Sequence, residues 1–226
     1  MENIVLLKDA VRFNPAGVRA LEPVNLTVTE GEFTAVLGGP GSGKTTLIYL
    51  ISGMEPPSSG TVTVLGKELD RMAEKQRAAF RNEHIGIVPK TAVFIEEFSA
   101  AENTALPLMA RGMDKRSAVK QAGNILNAFG LKEHMKKRAG SLRPYERRMA
   151  SLARAWAGKP SIILMDEPET ELNEVEKEGL LKNLQVITHS GRCTIICATA
   201  DETFASAFKR MLRIVEGTII EEKHNE

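Results

Sequence analysis

Apolar residues fall along this chain in short runs punctuated by glycine and proline. The runs IVLL, VNLTV and FTAVL, at 4–7, 24–28 and 33–37, read as strands, with Pro15, Gly17 and Gly31 turning the chain between them. A glycine-rich loop follows at 38–45. Lys44–Ser52 then reads as a helix, closed by Gly53 and the pair Pro56-Pro57. TVTVL at 61–65 alternates faces as a strand does. From about 99 to 156 helical patterns take over, in SAAENTALPLMARG, KRSAVKQAGNILNAFG and YERRMASLARAWAG. Strand character returns in SIILMDE. A helix over about 174–187, the strand TIICAT and a closing pair, MLRIV and TIIEE, complete the chain. Strands alternating with helices predict an α/β fold with a mainly parallel sheet, here with a helical lobe inserted in it.

Composition narrows this picture only slightly. The 226 residues fit one α/β domain with a smaller lobe, and 42% hydrophobic with 26% charged is ordinary for a globular chain. A net charge of +1 gives no bulk attraction to nucleic acid, so no nucleic-acid partner is expected. No run approaches the roughly 20 apolar residues of a membrane-spanning helix. The start, MENIVLLKDAVRF, lacks the pattern of a secretion signal. A cytoplasmic chain is expected, with any membrane path supplied by another polypeptide. Cys193 and Cys197, in CTIICAT, would share one face of a strand and not bridge, as reduced core thiols.

The chemistry starts at the glycine-rich loop. Gly38-Gly39-Pro40-Gly41-Ser42-Gly43-Lys44-Thr45 matches G-x-x-x-x-G-K-[ST], with a strand before it and a helix after it. Glycines let the backbone wrap phosphates with its N–H groups inward, and the helix offers its positive end to the same anion. Lys44 is placed to reach the β- and γ-phosphates, and Thr45 to ligate Mg²⁺. A second pattern, Ile162-Ile163-Leu164-Met165-Asp166-Glu167, is a buried strand that delivers two carboxylates to the carboxyl edge of the sheet. Asp166 would hold Mg²⁺, through water, and Glu167 would polarise a water for attack on the γ-phosphate.

With both motifs placed, the chain resembles ATP-binding subunits of ABC transporters over essentially its full length. The branch serving lipoprotein release and macrolide export is most alike. The stretches carrying the likeness are GVRALEPVNLTVTEGEFTAVLGGPGSGKTTL, HIGIVPK, AENTALPL, SLARAWAGKPSIILMDEP and TIICATADETFA. The resemblance implies an α/β P-loop NTPase fold of ABC type, one cassette over 1–226. A mainly parallel core would carry an N-terminal antiparallel β subdomain and an α-helical subdomain over about 91–157. It further implies ATP and Mg²⁺ as cofactors, a separate membrane permease as partner, and a homo- or heterodimer closing head-to-tail around two ATPs. The chain would then lie in the cytoplasm, peripheral on the inner face of the cell membrane. Gly38 to Thr45 together with Thr46 would contact nucleotide, Thr45 and Asp166 the metal, and Glu167 would be catalytic. The adenine-stacking aromatic best matches Phe13, with Asn14 as a one-residue alternative; an ordinary strand aromatic is equally open for Phe13.

The same matching exposes departures. The family's metal-coordinating glutamine falls on Lys90, whose ammonium has no lone pair to give a cation. The signature LSGGQ falls on Leu142-Arg143-Pro144-Tyr145-Glu146. Pro144 lacks an N–H, and Tyr145 adds bulk where backbone must approach closely, although Arg143 keeps a charge for a phosphate. The usual Leu-Asp after Glu167 reads Leu172-Asn173, and the switch histidine falls on Ala200. Removing one preorganised donor to developing charge can cost roughly 2.7–4 kcal/mol in a barrier. ATP binding is therefore expected with hydrolysis impaired. The alternative is a non-cycling, nucleotide-responsive clamp on a membrane partner. Two charge clusters, Lys132, Lys136, Lys137, Arg138, Arg143, Arg147, Arg148 and Glu169, Glu171, Glu174, Glu176, Glu178, read as solvated helix faces or as a charge-paired dimer contact.

Overall fold

The computed structural model describes residues 2–190 and 193–224. In chain order the elements are β1 Asn3–Phe13, β2 Arg19–Thr29, β3 Phe33–Leu37, α1 Lys44–Ser52, β4 Ser59–Val64, β5 Lys67–Glu68, α2 Glu74–His84 and β6 Ile85–Val88. Then come α3 Ala100–Ala110, α4 Lys115–Ala128, α5 Pro144–Trp156, β7 Ile162–Asp166, α6 Glu174–Ser190, β8 Thr194–Thr199, α7 Glu202–Ala205, β9 Arg210–Val215 and β10 Thr218–His224.

The strands form two sheets. β2-β1-β4-β5 is antiparallel, and β10-β9-β3-β8-β7-β6 is parallel except at its β10 edge. The expected parallel core and N-terminal antiparallel sheet are both present. Between β6 and β7 the chain leaves the sheet for α3, α4 and α5.

Alternate residues of the central strands enter two separate cores. Phe33, Ala35 and Leu37 of β3, Ile163 and Met165 of β7, and Ile195 and Cys197 of β8 pack with α5 and α6. Val36, Ile162, Leu164, Ile196 and Ala198 face the other way, toward α1 and the antiparallel sheet. Both faces are covered, so FTAVL, IILMD and TIICAT are buried at every position instead of alternating. Cys193 and Cys197 lie buried and unbridged in the first core, as expected.

Three local differences from the sequence expectation have physical causes. β1 continues past Leu7 because Asp9, at φ 47°, makes a bulge tied on both sides to Asn25, after which the strand resumes as AVRF. β2 starts at Arg19, well before Val24, because it is an edge strand and tolerates Pro23. α2 carries no buried residue and no apolar stripe, so periodicity gave no signal for it. Arg77 and Arg81 pair with Glu74, and Arg81 donates to the Gly53 carbonyl at 3.1 Å.

Candidate functional site: a phosphate loop facing two carboxylates

The parallel strands β3, β8, β7 and β6 open their carboxyl ends on one edge, and the loops that follow them meet there. Register fixes who meets whom. Leu37 pairs with Thr199, which brings Ala200 near the start of the glycine loop. Val88 pairs with Met165, so two residues further on Lys90 stands beside Glu167.

The loop after β3 curls over its own lysine. Lys44 is 3% exposed, and its Nζ donates to the carbonyls of Gly38 at 2.7 Å and Gly39 at 2.8 Å. Gly43 sits at φ 102°, and a Cβ there would lie 2.6 Å from the Ala20 carbonyl, so only glycine fits. The first backbone bond from α1 into the loop runs from Leu47 N–H to Gly43 at 2.9 Å. The N–H groups of Lys44, Thr45 and Thr46 thus lie in the first turn, where a helix has no carbonyl to offer them. The Ser42 hydroxyl is buried without a partner. Spare donors around a helix start make an anion site. They line a cavity of about 240 Å³ whose walls are Ala20, Pro40 to Thr46, Lys90 and Glu167.

The two carboxylates differ in surroundings. Asp166 is buried and accepts from Thr45 Oγ1 at 2.9 Å. Burial holds its carboxyl above the usual range, against the pull of the Thr45 hydroxyl. Glu167 has φ 43°, an uncommon conformation for a side-chain-bearing residue, and its N–H donates to the Ala198 carbonyl at 2.8 Å. That turn swings its carboxylate back over the loop. Glu167 Oε2 lies 2.6 Å from Lys90 Nζ and Oε1 lies 3.4 Å from Lys44 Nζ. Burial pushes the Glu167 carboxyl up, but the two ammonium groups more than offset it and hold it below the usual value. The same contact raises Lys90.

The family's Mg²⁺ can be tested against these groups. Thr45 and Asp166 offer one hydroxyl and one carboxylate at hydrogen-bond distance, the hard-oxygen pair that such an ion takes when phosphates and water complete its shell. The pair fits. Among the described residues no cluster of three His, Cys, Asp or Glu forms a protein-only cage, and Lys90 brings a donor instead of a ligand.

The remaining sequence candidates are placed as follows. Phe13 ends β1 opposite Arg19. It is 38% exposed, with the Arg19 guanidinium 5.3 Å from its ring centre. It does not line the loop cavity. Asn14 caps its own turn, accepting from Ala16 and Val18. Arg143 is 79% exposed at the head of α5, with its N–H and Nε both on Glu146. Pro144 takes the first helical position, where the missing N–H does not harm the helix. Tyr145 does not crowd that helix start as expected: it turns inward, onto α6, where a Cβ on Gly179 would come 2.6 Å from its hydroxyl. Asn173 is the N-cap of α6, exchanging bonds with Glu176.

The charge clusters are not uniform solvated faces. Glu169 is buried against the Thr199 hydroxyl, and burial raises its carboxyl. Arg147 pairs with Glu96. Arg148 is buried, donating to the carbonyls of Pro89 and Lys90 at 2.8 Å each. Its importance escaped sequence reading, although Arg148 heads the buried row of Leu152 and Ala155 on α5.

Comparison with known proteins agrees with this geometry. The ABC transporter family profile matches residues 21–170. The lipoprotein-releasing system ATP-binding protein LolD of Chromohalobacter salexigens is 36% identical over 211 residues, 93% of this chain and 89% of that protein. LolD of Bacteroides fragilis is 33% identical over 203 residues, 90% and 94% of the two chains. Among solved structures, a dimeric ATP-binding cassette in a post-hydrolysis state bound to ADP and phosphate superposes with a TM-score of 0.91 at 26% identity, covering 98% of each chain. The phosphate loop, the paired carboxylates and these likenesses along nearly the whole chain lead to one conclusion: the chain belongs to the ABC transporter family, among its ATP-binding cassettes.

Proposed function

We propose that this chain is the ATP-binding subunit of an ABC transport system that holds Mg-ATP tightly and hydrolyses it slowly. It is read as one cassette over 1–226, with a helical subdomain over about 91–157, working on the inner face of the cell membrane with a separate permease and a second cassette, identical or not. The relatives named for lipoprotein release support a role in that kind of transport.

Each step falls to a group of this chain. On nucleotide entry Lys44 exchanges the Gly38 and Gly39 carbonyls for phosphate oxygens, and the N–H groups of the loop and first turn of α1 take the rest. Thr45 and Asp166 would hold Mg²⁺, which when bound neutralises phosphate charge. Glu167 would accept a proton from the attacking water. That role needs a free carboxylate, and the single observation carrying the reading of slow turnover is that Lys90 Nζ lies 2.6 Å from it. An ammonium there lowers basicity and occupies the oxygen that would face water. Phe13 is read as the adenine's neighbour, once Arg19 leaves its ring.

An ATPase assay on purified protein tests this. Wild type is expected to be slow, Lys90→Gln to gain at least about tenfold by freeing Glu167, and Lys90→Gln with Glu167→Gln to lose that gain. Fast wild-type turnover abolished by Glu167→Gln would overturn the reading. Ala200, without a hydrogen-bonding side chain, and Pro144, without an N–H, favour the second reading, a non-cycling regulatory clamp. No turnover in wild type or in Lys90→Gln, with nucleotide bound, would select it.

A further inference from the structure

Among the groups at the carboxyl edge of the sheet, Glu169 has no part in holding phosphate or metal. It follows Glu167 by two residues and is 6% exposed. Its Oε1 accepts from the Thr199 hydroxyl, and its Oε2 is buried without a partner. A carboxylate calls for donors on both oxygens, and this site supplies one, so it suits the neutral acid. The charged groups around it do not supply the other. On α5 the Arg148 guanidinium donates to the carbonyls of Pro89 and Lys90. Asp201, ahead of α7, pairs with Lys177 of α6 at 2.7 Å. On β7 and its loop Asp166 accepts from Thr45, Glu167 lies against Lys90 and Lys44, and Glu171 is exposed. On β8 burial pushes the Cys197 thiol up, so it is neutral. Burial raises the Glu169 carboxyl, and the charges of Glu167 and Asp201 add to this against the Thr199 hydroxyl.

The place of this acid ties it to the nucleotide cleft. Thr199, which holds it, accepts at its carbonyl from the N–H of Gly38, the first residue of the phosphate loop, at 3.1 Å. Glu169 is also one of the carboxylates whose charge raises Lys90 in the loop cavity. We propose that Glu169 is a proton-binding site coupled to the phosphate loop: with its proton on, it admits a polyanion, and as a carboxylate it adds a negative charge that weakens ATP binding. The inference rests on the phosphate-loop reading above. The coupling is reciprocal, so ATP draws a proton from the buffer onto Glu169. The sign follows from the chemistry of the group. A carboxyl loses its proton as pH rises, so ATP affinity falls with rising pH.

The test is calorimetric titration of the full chain with Mg-ATP across about pH 5 to 8, in buffers of differing ionisation enthalpy, beside Glu169→Gln. That variant keeps a carbonyl acceptor for Thr199 and cannot ionise. Groups that titrate in both proteins cancel in the comparison. The two proteins are expected to match at the acid end; wild type then loses at least about fivefold more affinity than Glu169→Gln as pH rises, and takes up more protons on binding. A weakening of Glu169→Gln that is the same at every pH, or equal proton uptake by the two, overturns this inference alone. Should the variant fail to fold, wild type still decides: proton uptake on binding supports the inference, and none at any pH overturns it. No binding by wild type at any pH overturns the phosphate-loop reading, and this inference with it.

Discussion

At the scale of single residues, two positions hold conformations that matter to the site. Gly43 is one: alanine there would have to adopt φ 102° and push its Cβ to 2.6 Å from the Ala20 carbonyl. Gly43→Ala is expected to cost more than about 1 kcal/mol of stability and to abolish nucleotide binding, measured by denaturant unfolding and titration. Glu167 is the other. Left-handed backbone costs a residue with a side chain about 1–3 kcal/mol, and this strain aims the carboxylate at the loop. The consensus at 38–45 was legible because it is contiguous. The neighbour of Lys90 was not, because it follows from strand register. Seen alone, Lys90 reads as a lost metal ligand; beside Glu167 it is a cation placed on a carboxylate.

At the scale of elements, caps and anchors decide how the helices meet the site. α3 begins with a capping box in which Ser99 and Glu102 exchange hydrogen bonds, and Lys115 adds a contact at 2.9 Å. Ser99→Ala is expected to destabilise by about 1 kcal/mol in denaturant unfolding. Lys115, with help from Ser99, holds the Glu102 carboxyl down at about 2, from an ordinary 4.5. A depressed carboxylate gives stability that is complete above its unfolded value and lost as pH falls through the folded one. Between about pH 4.5 and 2, Glu102→Gln is therefore expected to lose less stability than wild type; equal losses would show that the cap contributes nothing there. Helices with an apolar stripe were legible from their pattern. α2 was not, since ion pairs, contacts to the Gly53 and Pro107 carbonyls and the half-buried Phe80 hold it, with no fully buried residue. α5 combines both cases: its buried face was readable, but Arg148, which ties it to the Lys90 backbone, was grouped with surface charge.

At the scale of the whole molecule, a doubly covered parallel sheet brings four loops to one edge. FTAVL, IILMD and TIICAT announce such a sheet by being apolar but for Thr34 and the end residues Asp166, Thr194 and Thr199, and the order of strands and helices made its parallel character readable. Which strands lie side by side is settled by packing, and that order puts the loops after β3, β7 and β6 around one cavity. The central claim is that this cavity grips a triphosphate through Lys44 and the head of α1. Calorimetric titration of the purified chain with Mg-ATP, beside Lys44→Ala, tests it most directly. A saturating one-to-one isotherm that weakens at least about a hundredfold in Lys44→Ala is the expected result. Absence of binding by wild type, or equal affinity in the two proteins, would contradict the account.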